Sequence, residues 1–182
     1  MTDPVLQMYL LAFMLVALWL IVFWKLFRKV IPIKSPPDPE KIIDYNRVQR
    51  VSSIFWVIFS LFGMMIIVYA ILPNLYFLFL PLDTFHHPLI NSIGLLILKV
   101  AIVWIVVAQL TIDKEVYKYS RDIESLSAME LLRYSEKMLL SGMLVLFIGV
   151  FVTITNIVGI ILGLVAFIFF VKTFHQHPHR SI

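Results

Sequence analysis

The chain has 182 residues with a net charge of +4; 61% of its residues are hydrophobic and 14% are charged, and its mean hydropathy is +0.95. These values lie outside the range of soluble globular domains and indicate a protein whose solvent is the bilayer. The basic excess does not predict nucleic-acid binding, because Lys and Arg lie beside apolar runs and alternate with Asp and Glu. The absence of cysteine excludes disulfides, thiolate metal sites and a cysteine nucleophile.

Fourteen of the fifteen Lys and Arg residues lie in three polar stretches that alternate with apolar runs. Two stretches, 25–50 and 114–137, separate apolar runs, and the third follows the last run at Lys172 and Arg180. Short loops rich in Lys and Arg stay on the cytoplasmic side of a membrane, so all three stretches are predicted to lie there. This orientation predicts an external N-terminus and a cytoplasmic C-terminus, in a cytoplasmic or organellar inner membrane.

The first apolar run begins after Asp3, a suitable N-cap, with Pro4 at the first helical position. A second helix is predicted to begin at Pro39 and to end before Pro73, with residues 51–72 in the membrane. Residues 74–88 contain no Lys or Arg and are rich in aromatic residues, which predicts an external loop at the interface.

The third apolar run carries one charge, at Lys99, and Ser127 with Glu130 fits a capping box for the helix that leads into the fourth. The last run, 138–171, would reach about 50 Å as one helix, which is too long for a single crossing. The polar residues 153–156 predict a hairpin, whereas a single long helix would place Lys172 and Arg180 outside.

These patterns predict one integral membrane domain, residues 1–182, with an all-α fold: a bundle of five transmembrane helices that ends in a helical hairpin. The predicted spans are residues 5–27, 51–72, 89–110, 138–153 and 157–172.

Lys99 is the best single indication of a specific role, because a charge at the bilayer centre costs at least ~2.5–3.5 kcal/mol. Three interpretations remain open: a lysine that snorkels or sits neutral in a polar gap, an acidic partner on another subunit, and an ion or substrate path. No Asp or Glu lies within a predicted span, so the available companions of Lys99 are neutral residues that could accept a hydrogen bond: Ser60, Tyr69, Asn91, Thr153, Thr155 and Asn156.

Two further patterns suggest a local role. Gly159 and Gly163 form a GxxxG step that predicts close helix packing, within the hairpin or against a partner helix. His175, His177 and His179 alternate in the C-terminal tail and are weak candidates for metal ligands. A solvated tail is the simpler interpretation, since no carboxylate or thiolate lies near them in sequence, and no metal site is predicted.

From about residue 90 onward, the order of a span, a basic segment and a helical hairpin resembles the isoprenylcysteine carboxyl methyltransferase and phospholipid methyltransferase superfamily. Residues 134–142 resemble its Y-x-R-H-P-x-Y-x-G motif, with Tyr134 and Gly142 matching. The residues that would hold S-adenosylmethionine differ, because Glu136-Lys137-Met138 replaces Arg-His-Pro and Leu140 replaces the tyrosine. The resemblance therefore implies the architecture of this superfamily, with the cofactor-binding motif lost, and no catalytic residue is transferred from it.

The sequence favours a protein without a catalytic site of its own: a small helical subunit that packs against and stabilises a larger membrane complex. Its partners are then membrane lipids and other membrane subunits, with no nucleic acid and no cofactor. One alternative is a divergent membrane methyltransferase that uses S-adenosylmethionine. A second is a small channel or transporter that uses Lys99.

Overall fold

The computed structural model describes residues 4–27, 39–82, 87–121 and 128–174. These residues form five α-helices and one short 3-10 helix, and the only β pairing among them is an isolated bridge between Pro81 and Asn156. The elements are α1 (Pro4–Phe27), α2 (Pro39–Ile71), the 3-10 helix η1 (Pro73–Phe79), α3 (Pro88–Arg121), α4 (Ala128–Thr153) and α5 (Ile157–Phe174). The prediction of an all-α fold with a C-terminal helical hairpin is confirmed.

Each α-helix contains a segment that is long and apolar enough to cross a membrane. These segments are Pro4–Trp24, Asn46–Ile71, Pro88–Thr111, Glu136–Thr153 and Ile157–Phe174. Pro4, Pro39 and Pro88 are the first residues of α1, α2 and α3. Proline suits this position because its φ angle is already helical and its missing N–H would have no partner within the helix.

Helices α3 and α4 pack antiparallel at very short range because glycines face the neighbouring helix. A Cβ atom built on Gly149 would lie 2.9 Å from Leu98 Cγ, and one built on Gly142 would lie 2.9 Å from Ile105 Cγ1. At Gly94 the nearest atoms belong to the backbone and hydroxyl of Thr153. Small residues allow this close approach of backbones, which strengthens van der Waals packing where lipid offers no hydrophobic driving force.

Helix α2 packs on another side of α4 through aromatic rings. Phe62 stacks on Phe147 with ring centroids 5.0 Å apart and 12° between the planes, and Phe55 approaches the same ring at 5.7 Å. All three side chains are fully buried. Helix α1 contacts α2 and α3 and buries Leu10 and Ile21 completely.

The α4–α5 turn is held by the segment that follows η1. Leu82 N donates to Thr155 O at 3.0 Å, and Ile157 N donates to Leu80 O at 3.1 Å. Leu80 adopts the left-handed conformation, with φ of 53° and ψ of 68°, as it closes the 3-10 helix. The two connections at this end of the bundle, 72–82 and 154–156, therefore form one hydrogen-bonded unit, which we call the Asn156 end.

Candidate functional site

Lys99 lies at the middle of the α3 span, on the side of the helix that faces away from the described bundle. The opposite side of α3 is buried, with Leu98 and Ala101 both at 0% exposure. Lys99 makes no hydrogen bond or ion pair with any side chain or backbone group that the structure describes. The structure thus places a lysine without a partner among the described residues on the outer surface of a membrane-spanning segment.

This position leaves Lys99 far from water along the helix. The span runs from Pro88 to Thr111, so Lys99 is about 17 Å from either end at 1.5 Å per residue. A four-carbon stem is too short to cover that distance by snorkelling alone. A charge that remains at this depth needs a partner to offset its desolvation.

The neutral polar residues that the sequence analysis identified as possible acceptors do not form a hydrogen bond with Lys99. Ser60 donates to Trp56 O at 2.9 Å and Thr153 donates to Gly149 O at 2.7 Å, each within its own helix. Asn91 Oδ1 is buried and accepts no bond from a described residue. It lies eight residues from Lys99, about 12 Å along the helix axis. A polar gap within the described bundle therefore does not accommodate the ammonium group.

Asn156 forms the main polar network of the structure, at the Asn156 end. Its Nδ2 group donates to Tyr76 Oη at 2.9 Å and to Ile154 O at 2.7 Å, while its Oδ1 atom accepts from Gly159 N at 2.6 Å. Tyr76 Oη also donates to Ile154 O at 3.3 Å. Asn156 has 0% exposure, so it acts both as the N-cap of α5 and as the link between the turn and η1.

Trp24 and Asp113 connect α1 with α3 at the opposite end of the bundle. The indole Nε1 donates to Asp113 Oδ2 at 2.7 Å, across 89 residues of sequence. A hydrogen bond to a carboxylate is stronger than one between neutral groups. This hydrogen bond joins α1 to α3 at the ends of their apolar segments.

We expect Trp24→Phe to lower the free energy of unfolding by about 2 kcal/mol, because it removes a charge-assisted hydrogen bond that is partly shielded from water. Trp19→Phe is the matched control, since Trp19 is 59% exposed and its change should cost far less. Denaturation in mixed micelles, followed by circular dichroism, measures both. Equal stability of the two variants would show that the bond adds nothing.

The GxxxG step lies at the start of α5, and its two glycines differ in their surroundings. A Cβ atom on Gly159 would lie 3.0 Å from Asn156 Oδ1, so Gly159 leaves room for the cap of its own helix. At Gly163, apart from the adjoining backbone of its own helix and its two chain neighbours, no described atom lies within 4 Å of such a Cβ. Among the described residues, therefore, no other helix of the hairpin packs closely against Gly163. A contact of Gly163 with a partner helix stays a prediction.

Two other sequence-based candidates are the tail histidines and the methyltransferase-like motif. His175, His177 and His179 lie outside the described residues, and in the described part no three His, Asp or Glu residues are close enough to hold a metal ion. Gly142, one of the two positions that match the methyltransferase motif, is buried against Ile105 and Trp104 of α3. Its small size is thus explained by helix packing.

Sequence reasoning did not single out Gly94, Gly149, Tyr76 or Asp113. Gly94 and Gly149 lie on different helices and belong to no short motif, so their pairing with Thr153 and Leu98 depends on the antiparallel register. A detectable signal existed for Asp113, since a carboxylate at the end of a span needs a donor nearby. The sequence does not identify Trp24 as that donor, because tryptophans commonly anchor spans at the interface.

The fold and the composition fit one class, an all-α integral membrane protein: in the part of the chain that the structure describes, five helices are long and apolar enough to cross a bilayer. Comparison of the chain with protein families, curated proteins and solved structures found no match. The resemblance to the isoprenylcysteine carboxyl methyltransferase superfamily therefore stays a prediction.

Proposed function

We propose that the protein is a non-catalytic subunit of a heteromeric membrane complex, in which it packs against and stabilises a larger membrane protein. The observation that carries this proposal is the exposed position of Lys99 at mid-span, with no partner among the described residues. The desolvation cost of a charge at this depth is met most directly by a neighbouring chain.

The shape of the bundle supports the same proposal. Only 17% of the residues in the apolar segment of α5 are buried inside the bundle, and only 33% in the segments of α1 and α3. Wide apolar faces of these helices therefore remain on the outside. Such faces can contact lipid or another membrane protein. The three basic stretches support an orientation with the N-terminus outside and the C-terminus in the cytoplasm, in a cytoplasmic or organellar inner membrane.

The position of Lys99 bears on the two alternatives. Because it lies on the outer surface of the described bundle, a pathway lined by Lys99 would run between chains and not through the centre of one. For the methyltransferase alternative, low-micromolar binding of S-adenosylmethionine by the purified protein is the deciding measurement. Such binding would favour an enzyme over a structural subunit.

We expect the Lys99→Met variant, purified from its native membrane in a mild detergent, to lose a stoichiometric partner that the unmodified protein retains. The loss of about 1–2 kcal/mol of binding free energy corresponds to roughly a 5- to 30-fold weaker association. Lys172→Met is the matched control, because Lys172 is also an exposed lysine but lies at the end of its span. Quantitative mass spectrometry of the copurified chains measures the ratio.

Two results would contradict this proposal. One is that the unmodified protein purifies without any stoichiometric partner from its native membrane. The other is a partner that is retained equally by Lys99→Met and Lys172→Met, because the mid-span lysine would then contribute nothing to assembly.

A further inference from the structure

We infer that the partner contributes a transmembrane helix with an Asp or Glu near its centre, and that this helix packs along the outer face of α3 beside Lys99. The inference rests on the proposed function and specifies the chemistry of the contact. The partner helix belongs to a different protein chain.

The outer face of α3 has the spacing of a helix-packing seam. Six exposed apolar residues recur at steps of three and four, and each is between 46% and 62% exposed. They are Ile93, Leu96, Val100, Val103, Val107 and Leu110. In heptad notation the a positions are Ile93, Val100 and Val107, which are all β-branched. The d positions are Leu96, Val103 and Leu110, two of which are Leu. β-branched residues at a with Leu at d favour the pairing of two helices.

Lys99 directly precedes one of the a positions, Val100, and so occupies the g position of this heptad. Charged residues at e and g flank the seam of paired helices and select the partner through ion pairs across it. Pairs of transmembrane helices adopt similar left-handed crossings. The lysine and the seam therefore belong to one surface, on which a carboxylate of the partner can meet the ammonium group.

A second copy of this chain does not complete the site. In the five spans the only acidic residue is Glu136, at the first position of its segment and thus far from mid-span. Symmetric contact of two α3 faces would bring two lysines toward each other. Acidic lipid headgroups are also excluded as the partner, because they lie about 15 Å from the centre of a core that is ~30 Å thick.

The other outer faces lack this combination. The exposed faces of α1 and α5 carry no charge at mid-span. On α2, the exposed side chains of Ser53 and Ser60 each donate to a carbonyl group one turn back in their own helix. Charge complementarity therefore points to α3 as the docking face.

The test uses the full chain in phosphatidylcholine vesicles with a synthetic transmembrane peptide of Leu and Ala as the probe. The peptide carries one central Glu, or Gln in its matched form, and one cysteine. Because the natural chain has no cysteine, Val103→Cys supplies a single crosslinking position on the seam, and Ile161→Cys supplies a control on the exposed face of α5.

We expect the Glu peptide to form a disulfide with Val103→Cys about three- to tenfold more than the Gln peptide does. The preference should vanish when Lys99→Met is added and persist when Lys99→Arg is added. At Ile161→Cys the two peptides should react equally. A circular dichroism spectrum of each variant checks that the helices are retained.

Equal yields for the Glu and Gln peptides at Val103→Cys, or a Glu preference that survives Lys99→Met, would overturn the inference. Other results distinguish an error in this inference from an error in the proposed function. A stoichiometric partner that depends on Lys99, together with no Glu preference, would overturn only the acidic-helix inference. Purification of the protein without any partner would overturn the proposed function itself.

Discussion

Gly94→Ala is expected to lower the free energy of unfolding by about 3 kcal/mol, the upper part of the range for over-packed cores. The added methyl group would lie 2.6 Å from Thr153 N and 2.8 Å from Thr153 Cα, and closer still to the Thr153 hydroxyl. Most of these atoms belong to the backbone, so no rotamer change can make room. The α3 and α4 helices would have to separate where they are closest.

Gly163→Ala is the matched control for this change. Both glycines lie inside helices, so both substitutions gain the same helix propensity of about 1 kcal/mol, but Gly163 has open space around its Cβ position. Unfolding in mixed micelles, monitored by circular dichroism, gives the difference between the two. If Gly94→Ala is as stable as Gly163→Ala, the close α3–α4 contact at Gly94 is wrong.

Asn156→Leu is expected to lower the free energy of unfolding by about 3 kcal/mol as well. The change removes the acceptor of the Gly159 N–H group and the donors to Tyr76 Oη and Ile154 O, all at a position with 0% exposure. A buried polar group that loses its partner costs about 1–3 kcal/mol, and here more than one group is affected.

Two further variants separate the two functions of Asn156. Asn156→Asp keeps an oxygen that can cap α5 but loses the amide donor, so its stability should lie between those of the natural protein and Asn156→Leu. Tyr76→Phe removes only the hydroxyl and should cost about 1 kcal/mol. The same unfolding measurement applies. Equal losses for Asn156→Asp and Asn156→Leu would mean that the cap contributes nothing.

These two sites lie next to each other, because Thr153 faces Gly94 and begins the turn that Asn156 completes. Together they hold α3, α4 and α5 in a fixed arrangement. The rotation of α3 about its own axis is set by its glycine contact, and that rotation places Lys99 on the outside. Loss of the Gly94 contact is therefore expected to disturb the proposed partner surface indirectly.

Much of the fold was accessible from the sequence. The number of spans followed from the lengths of the apolar runs, because the bilayer thickness sets the length of a helix that crosses it. The hairpin at 153–156 was predicted from polar residues in an apolar run that is too long for one crossing. In the structure, α4 ends at Thr153 and α5 begins at Ile157. Pro39 marked the start of α2, and the helix ends at Ile71, before Pro73.

The candidate site was accessible only in part. A lysine in the middle of an apolar run is visible from sequence alone, so the sequence by itself indicates a role for Lys99. Its outward direction was not, because both sides of α3 are apolar. In a membrane, lipid-facing and protein-facing residues have similar polarity, so hydrophobic periodicity does not tell which side is buried.

The sequence by itself indicated the class of protein, the number of helices long enough to cross a membrane and the position of Lys99 at the middle of one of them, because these depend on how many consecutive residues are apolar and where charge interrupts them. Only the tertiary structure decided which glycines bring helices together, which donors meet Asn156 and Asp113, and which side of α3 stays exposed. These features join residues that are distant along the chain, such as Gly94 with Thr153 and Trp24 with Asp113. They arise from the register and rotation of packed helices, which local composition does not encode.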